Sequence, residues 1–326
     1  MKFSLKRRNL LSKKTTRSKF CSPDNEKNGY TCFNRDSLQT IIKAYNNNHK
    51  DKIRNYENKS DQQLWNLIDG RMKQKKCYSE WCWVEQQFVK NLKDSKLKGS
   101  FRPNMPREWK KNPSAWLSTT DIQRVMKQYE TAHDDFHFVG PVPIDFDSKY
   151  DIGKCIVNEL CNVNIVKMHE KGKTKLGVVF NLDAHDEPGS HWVSMFADTK
   201  QRNVFYYDSY GLPPPDEIKK LMVRLSEQGI KIPINRSNSN KLGGSASSSS
   251  TGNLLLGTNT EQTNPKFGTY YNNVRHQFKN SECGVYSMHF LSEFLNGKTF
   301  SQIINNRVND EEINKKRKFF YKNDLV

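Results

Sequence analysis

Apolar positions fall three and four apart between residues 37 and 72. This spacing predicts two amphipathic helices, over residues 37–45 and 60–72, each opened by a serine suited to N-capping. The linker between them is polar and basic, with Ile53 its candidate buried residue. Residues 78–89, with Trp81, Trp83, Val84, Phe88 and Val89, are apolar enough to pack this helical module against the next domain, and residues 96–111 read as the boundary. From about Pro113 the apolar pattern is denser. Thr119, Thr120 and Asp121 offer a cap to a helix running through Ile122, Val125, Met126 and Tyr129. Residues 139–146 are extended and broken by prolines, residues 152–160 read as a helix, and residues 176–182 as a buried strand. The runs 191–196 and 203–208 are rich in β-branched and aromatic residues, and the polar turn between them predicts a hairpin. A triple proline precedes a helix over 216–228 with Ile218, Leu221, Met222 and Leu225 inward. Residues 270–277 predict a further strand, and Met288, Leu291, Phe294 and Leu295 one face of a helix stopped at Gly297. A C-terminal helix over 309–320 has Asn309 as cap, acids first and bases last, as the helix dipole favours.

These elements predict an α+β fold: a mixed, mainly antiparallel sheet flanked by helices, preceded by a small helical N-terminal module. The expected organisation is a basic arm over 1–20, the module over 21–110 and a larger domain over 111–326, with a Ser-, Gly- and Asn-rich flexible insertion at 237–253. No internal repeat is visible.

Charge adds a partner class. Lys and Arg number 53 against 35 Asp and Glu, a net charge of +18, which predicts an acidic partner such as nucleic acid or an acidic protein surface. The arm concentrates this charge in Lys2, Lys6, Arg7, Arg8, Lys13, Lys14, Arg17 and Lys19, with no acid among them. Nucleic-acid contact, an import signal and simple solubility all account for it. No apolar run is long enough for a transmembrane helix, and no apolar stretch comes after the basic start as a secretory signal requires. The seven cysteines are unevenly spaced, which favours a reducing compartment over a disulfide framework. Cys21, Cys32, Cys77 and Cys82 supply four thiolates for zinc, but their spacings do not match the tight paired loops of common zinc modules.

The candidate chemistry lies in the stretch 275–287. Cys283 falls at the start of a helix, where free N–H groups and the positive dipole end favour a thiolate. Gly284 leaves backbone N–H groups accessible beside the sulfur, and the Gln277 amide is a candidate second oxyanion donor. A thiolate needs a base. His191 at the mouth of one strand of the hairpin and Asp208 at the end of the other fall at the same sheet edge, an arrangement in which the acid orients the imidazole. His276 and His289 compete for the base role, but the first faces away from Gln277 and the second lies inside the helix. Each of the four groups has an ordinary structural reading alone; their order and spacing together favour catalysis.

His191-Trp192, Asp208 after an aromatic strand, Gln277, and Cys283-Gly284 opening a helix resemble the cysteine protease family that includes SUMO-deconjugating enzymes, the adenovirus protease and the polyprotein protease of African swine fever virus. Residues 116–122 resemble the tryptophan-containing entry of that family's catalytic domain. The run 273–277 and Glu282-Cys283-Gly284 are most similar to the African swine fever virus member. The four groups predict acyl transfer without a cofactor or metal, with Trp192 flooring a narrow substrate groove, and the resemblance implies cleavage after Gly-Gly-type sequences. The implied substrate is a viral structural polyprotein processed during virion maturation, in the virion and the host cytoplasm, or a ubiquitin-like protein. An acetyltransferase on the same constellation and an inactive scaffold are the alternatives. Gly244-Ser245 in the insertion is a candidate self-cleavage site.

Overall fold

The computed structural model describes residues 20–150, 153–233, 252–254 and 266–322. The basic arm apart from residue 20, nearly all of the 237–253 insertion and the Gly244-Ser245 bond lie outside the described residues. The described chain forms two compact units, one of residues 20–105 with 318–322 and one of residues 106–317.

In the first unit helix α1 (Arg35–Asn48) starts earlier than its apolar pattern suggests. Asn34, not Ser37, is the cap, its side chain accepting from the Ser37 N–H at 2.9 Å. Helix α2 (Asp61–Gln74) is opened by Ser60 and Gln63 in a reciprocal capping box. Leu38, Ile41 and Ile42 of α1 meet Leu64, Ile68 and Met72 of α2, and Ile53 is buried with them. Short helices at Glu80–Glu85 and Gln87–Lys90 bring Trp83, Val84, Phe88 and Val89 into the same core. The cysteines here overturn the thiol reading: Cys21 is bonded to Cys32 and Cys77 to Cys82, so the four sulfurs form two disulfides and no zinc site. A third disulfide joins Cys155 to Cys161 in the second unit. Each pair closes a loop of at most 11 residues, formed by local turns that uneven sequence spacing does not reveal.

The second unit is built on a mixed six-stranded sheet in the order β1-β2-β3-β4-β6-β5. Helix α3 (Thr119–Ala132), capped by Ser118, precedes β1 (Phe136–Pro143). Strands β2 (Lys175–Asn181), β3 (Trp192–Asp198) and β4 (Asn203–Tyr207) come next as an antiparallel meander. β1 pairs parallel with β2, and β6 (Gly268–Asn272) pairs parallel with β4 and antiparallel with β5 (Gly252–Leu254). The expected helix over 152–160 is only a turn at Asn158–Cys161. The Ile156 and Val157 N–H groups donate instead to Ser148 and Phe146, which holds the preceding chain extended.

Alternation along β3 and β4 divides the two faces. Val193, Met195, Ala197, Val204 and Tyr206 pack beneath helix α4 (Asp216–Ile230), against Ile218, Leu221, Met222 and Leu225. Phe196 and Phe205 point the other way, to helix α5 (Cys283–Leu295), where Phe294 stacks on them at 4.4 and 5.0 Å between centroids. With every residue of β3 buried, the strand is covered on both faces and cannot shift register without turning one apolar set into the other layer. That fixes its end at residue 191. Helix α6 (Asp310–Phe320) closes the chain, with Asn309 accepting from the Glu312 N–H at 2.9 Å.

Candidate active site

The β3-β4 pairing sets Ser194 opposite Tyr207, so the chain entering β3 and the chain leaving β4 emerge at one sheet edge. There His191 Nε2 meets Asp208 Oδ1 at 2.7 Å. Asp208 is buried, and the same oxygen accepts the Tyr210 N–H at 2.8 Å, so two donors fix its position. Asn272, at the end of β6, donates to the Asp208 carbonyl and accepts from the Val274 N–H, both at 2.8 Å. That turn ends the strand expected to run to Gln277.

Cys283 lies close enough to His191 to act on its ring. With Nε2 committed to Asp208, Nδ1 is left for the sulfur. Burial disfavours the imidazolium, but the Asp208 hydrogen bond and charge and the neighbouring Cys283 outweigh it, and the His191 pKa is pushed up to about 9. Cys283 is the first residue of α5 and the free cysteine of the described residues. Glu282 makes no side-chain cap to the helix, its carboxylate instead taking Ser281 and Asn314. The Cys283 and Gly284 N–H groups therefore have no acceptor among the described residues, as the first turn of a helix requires. An imidazole beside a sulfur at a helix start is the arrangement in which a base can take a thiol's proton.

The pKa of His191 lies above its unfolded value near 6.5, so the imidazolium favours the folded state. That contribution is fully present below about pH 6.5 and is lost as pH rises through 9. Denaturant titrations between these pH values are expected to show the wild type losing on the order of 3 kcal/mol relative to His191→Gln. Parallel pH curves for the two proteins contradict the charged pairing.

The competing histidines are held neutral. Burial and the nearby Arg307 charge lower the His276 pKa to about 4, against the effect of the Ile304 carbonyl that its Nε2 meets at 3.1 Å. Burial likewise takes His289 to about 4. Gln277 is fully buried. Its Nε2 donates to the Lys279 carbonyl at 2.7 Å and lies 3.5 Å from the Tyr210 hydroxyl, while its Oε1 accepts from Ser209 at 2.6 Å. Trp192 is buried too, its indole N–H donating to Leu117 O at 3.1 Å. A Cβ on Gly284 would stand 3.2 Å from both Trp192 and Leu117, so the glycine also lets the nucleophile helix lie close against this pair.

Sequence reasoning passed over Tyr210, which stacks on the His191 ring at 4.7 Å and 18°. Its signal was its place two residues after the acid, in the turn that closes at Gly211. That glycine has φ 75°, and a Cβ there would meet the backbone of Val274 and Arg275 at 2.8–2.9 Å. Gly211→Ala is expected to cost at least about 2 kcal/mol in thermal or denaturant unfolding and to lower activity, because the His276 and Gln277 N–H groups both hang from the Ser209 carbonyl in this turn. An unchanged midpoint would show that the turn relaxes freely.

The profile of the Ulp1 protease family, C-terminal catalytic domain, matches residues 173–325. A thiol protease of Acanthamoeba polyphaga mimivirus is 32% identical over 322 residues, spanning 93% of each chain. A cysteine protease of African swine fever virus is 24% identical over 261 residues, covering 76% of this chain and 83% of its own. A homologous African swine fever virus protein, 23% identical over 261 residues covering the same shares, carries the name SUMO-1 cysteine protease. A crystal structure of the African swine fever virus protease superposes with a TM-score of 0.58 at 20% identity, covering 96% of this chain and 98% of that one, and shows the shared fold.

Proposed function

The chain belongs to the Ulp1 family of cysteine proteases, and from that premise we propose that it is an endopeptidase whose triad is Cys283, His191 and Asp208. The observation that carries this is the buried imidazole, hydrogen bonded through Nε2 to the buried Asp208 carboxylate and close enough to Cys283, at the start of α5, for the sulfur to act on it. The Cys283 sulfur attacks the scissile carbonyl. The Cys283 and Gly284 N–H groups and the Gln277 amide receive the oxyanion, Gln277 by turning one N–H from its Tyr210 contact. His191 passes its proton to the leaving amine, and water, activated by the same imidazole, hydrolyses the thioester. Trp192 and Leu117 support the groove floor.

The substrate we propose is a structural polyprotein of a large DNA virus, cut after Gly-Gly-type sequences during particle maturation in the host cytoplasm and the virion. Similarity to a mimivirus protease across 93% of the chain, and not only across the catalytic half, supports this reading. Three disulfides suit a virion better than a reducing cytosol. The cationic arm would hold the enzyme to packaged nucleic acid. Deconjugation of a ubiquitin-like protein is the second reading, favoured by the SUMO-1 protease name of one relative. A thiol-directed probe ending in Gly-Gly, applied to the wild type and to Cys283→Ala, tests the chemistry. Labelling of both proteins alike, or of neither, counts against it. Cleavage of peptides carrying Gly-Gly-X between two folded partners, set against a ubiquitin-like precursor, separates the two substrates.

A further inference from the structure

From the catalytic imidazole a run of stacked rings and guanidinium groups leads outward over the surface. Tyr210 lies on His191 at 4.7 Å, Arg275 over the Tyr210 ring at 5.3 Å and over Phe278 at 4.8 Å, and Arg307 over Phe278 at 4.4 Å. In a core this would be packing. Here Phe278 is 56% exposed and both arginines are exposed, so the run stands in solvent.

Among the described residues neither guanidinium is paired with a carboxylate, Arg275 giving only its Nε to the Gln277 carbonyl at 2.8 Å. The acids nearby are occupied. Asp310 takes the Phe278 and Lys279 N–H groups at 2.9 and 3.0 Å and the Tyr286 hydroxyl at 3.2 Å, and Glu282 takes Ser281 and Asn314. A guanidinium resting over an aromatic ring keeps N–H groups free for the fork geometry that grips a carboxylate. Two such groups flank one exposed phenyl ring.

We propose that Arg275, Phe278 and Arg307 form a subsite for an acidic stretch of the substrate, C-terminal to the scissile bond. The chemistry dictates the side: the imidazole protonates the leaving amine, so a surface continuing from it lies along the leaving segment. An extended chain advances about 3.3–3.6 Å per residue, which puts the acidic side chains within about five residues of the cut. This rests on the protease reading above and adds a charge requirement to it.

The test uses two internally quenched peptides with one Gly-Gly site, differing only in two glutamates or two glutamines about two to five residues after it. The wild type is expected to cut the glutamate peptide with a kcat/KM about five-fold higher at low salt, the ratio shrinking at about 0.5 M salt. Arg307→Gln brings the ratio close to one, and Arg307→Lys, which keeps the charge but not the planar fork, leaves it in between. A wild-type ratio near one, a ratio that Arg307→Gln leaves unchanged, or a preference for glutamates placed before the cut overturns the subsite. If neither peptide is cut, the protease reading fails. The subsite is then decided by binding of the same peptides to Cys283→Ala protein, where the glutamate preference and its loss in the Arg307→Gln background are still expected.

Discussion

Replacing Cys283 or His191 by alanine is expected to remove peptide hydrolysis, and the double replacement to be no worse than either single one. In the proposed triad the two groups act as a unit. The sulfur relies on the imidazole to take its proton, and Asp208 and the neighbouring sulfur push the imidazole pKa up to about 9 against the effect of burial. Losing either partner dismantles the other's function, so the losses overlap instead of adding. With a fluorogenic peptide, kcat/KM should fall at least about 10⁴-fold in each single variant, with the double variant within about ten-fold of the worse single. Cys283→Ser belongs with the inactive set, because a hydroxyl beside an imidazolium keeps its proton. A serine variant turning over like the wild type, or a double variant showing the product of the two single losses, would be incompatible with this pairing.

At Asp208 the expected result separates position from charge. Oδ1 accepts from both His191 Nε2 and the Tyr210 N–H, so an asparagine in this place has its carbonyl oxygen pinned by two donors. The imidazole then keeps the tautomer with its proton on Nε2, leaving Nδ1 for Cys283. This differs from a triad in which the amide turns a donor to the histidine and forces the wrong tautomer. Asp208→Asn is expected to keep kcat/KM within about ten-fold of wild type, while the alkaline limb moves down from about pH 9 as the carboxylate's attraction is lost. Asp208→Ala frees both the imidazole and the Tyr210 turn and should lose about 10³-fold. Equal losses in the two variants would assign the effect to charge instead.

Much of this was legible in the chain because it rests on short-range periodicity. The apolar alternation of β3 and β4 and the three-four spacing of α4 and α5 report burial on facing layers directly, and they bring residues 191, 208 and 283 to one edge. What the pattern missed depends on side chains that compete with backbone pairing. Asn272 ended β6 five residues before the expected Gln277 by bonding Asp208 and Val274, and Asn34 moved the start of α1 ahead of Ser37. The disulfides escaped for a related reason: their partners meet through tight local turns, and spacing carries no record of a turn's direction. Tyr210 is invisible to periodicity because its contact is with a ring on another strand.

The nucleophile loop depends on residues near the end of the chain. Asp310 holds the Phe278 and Lys279 N–H groups and the Tyr286 hydroxyl, while Arg317 donates to the carbonyls of Ser281 and Ala115 at 3.0 and 2.7 Å and stacks on Trp109. Both belong to α6, so the segment carrying Cys283 is buttressed by a helix that contributes nothing to the chemistry. An inhibitor need not compete with substrate: a compound that displaced Asp310 or Arg317 would loosen the loop that carries Cys283 from behind.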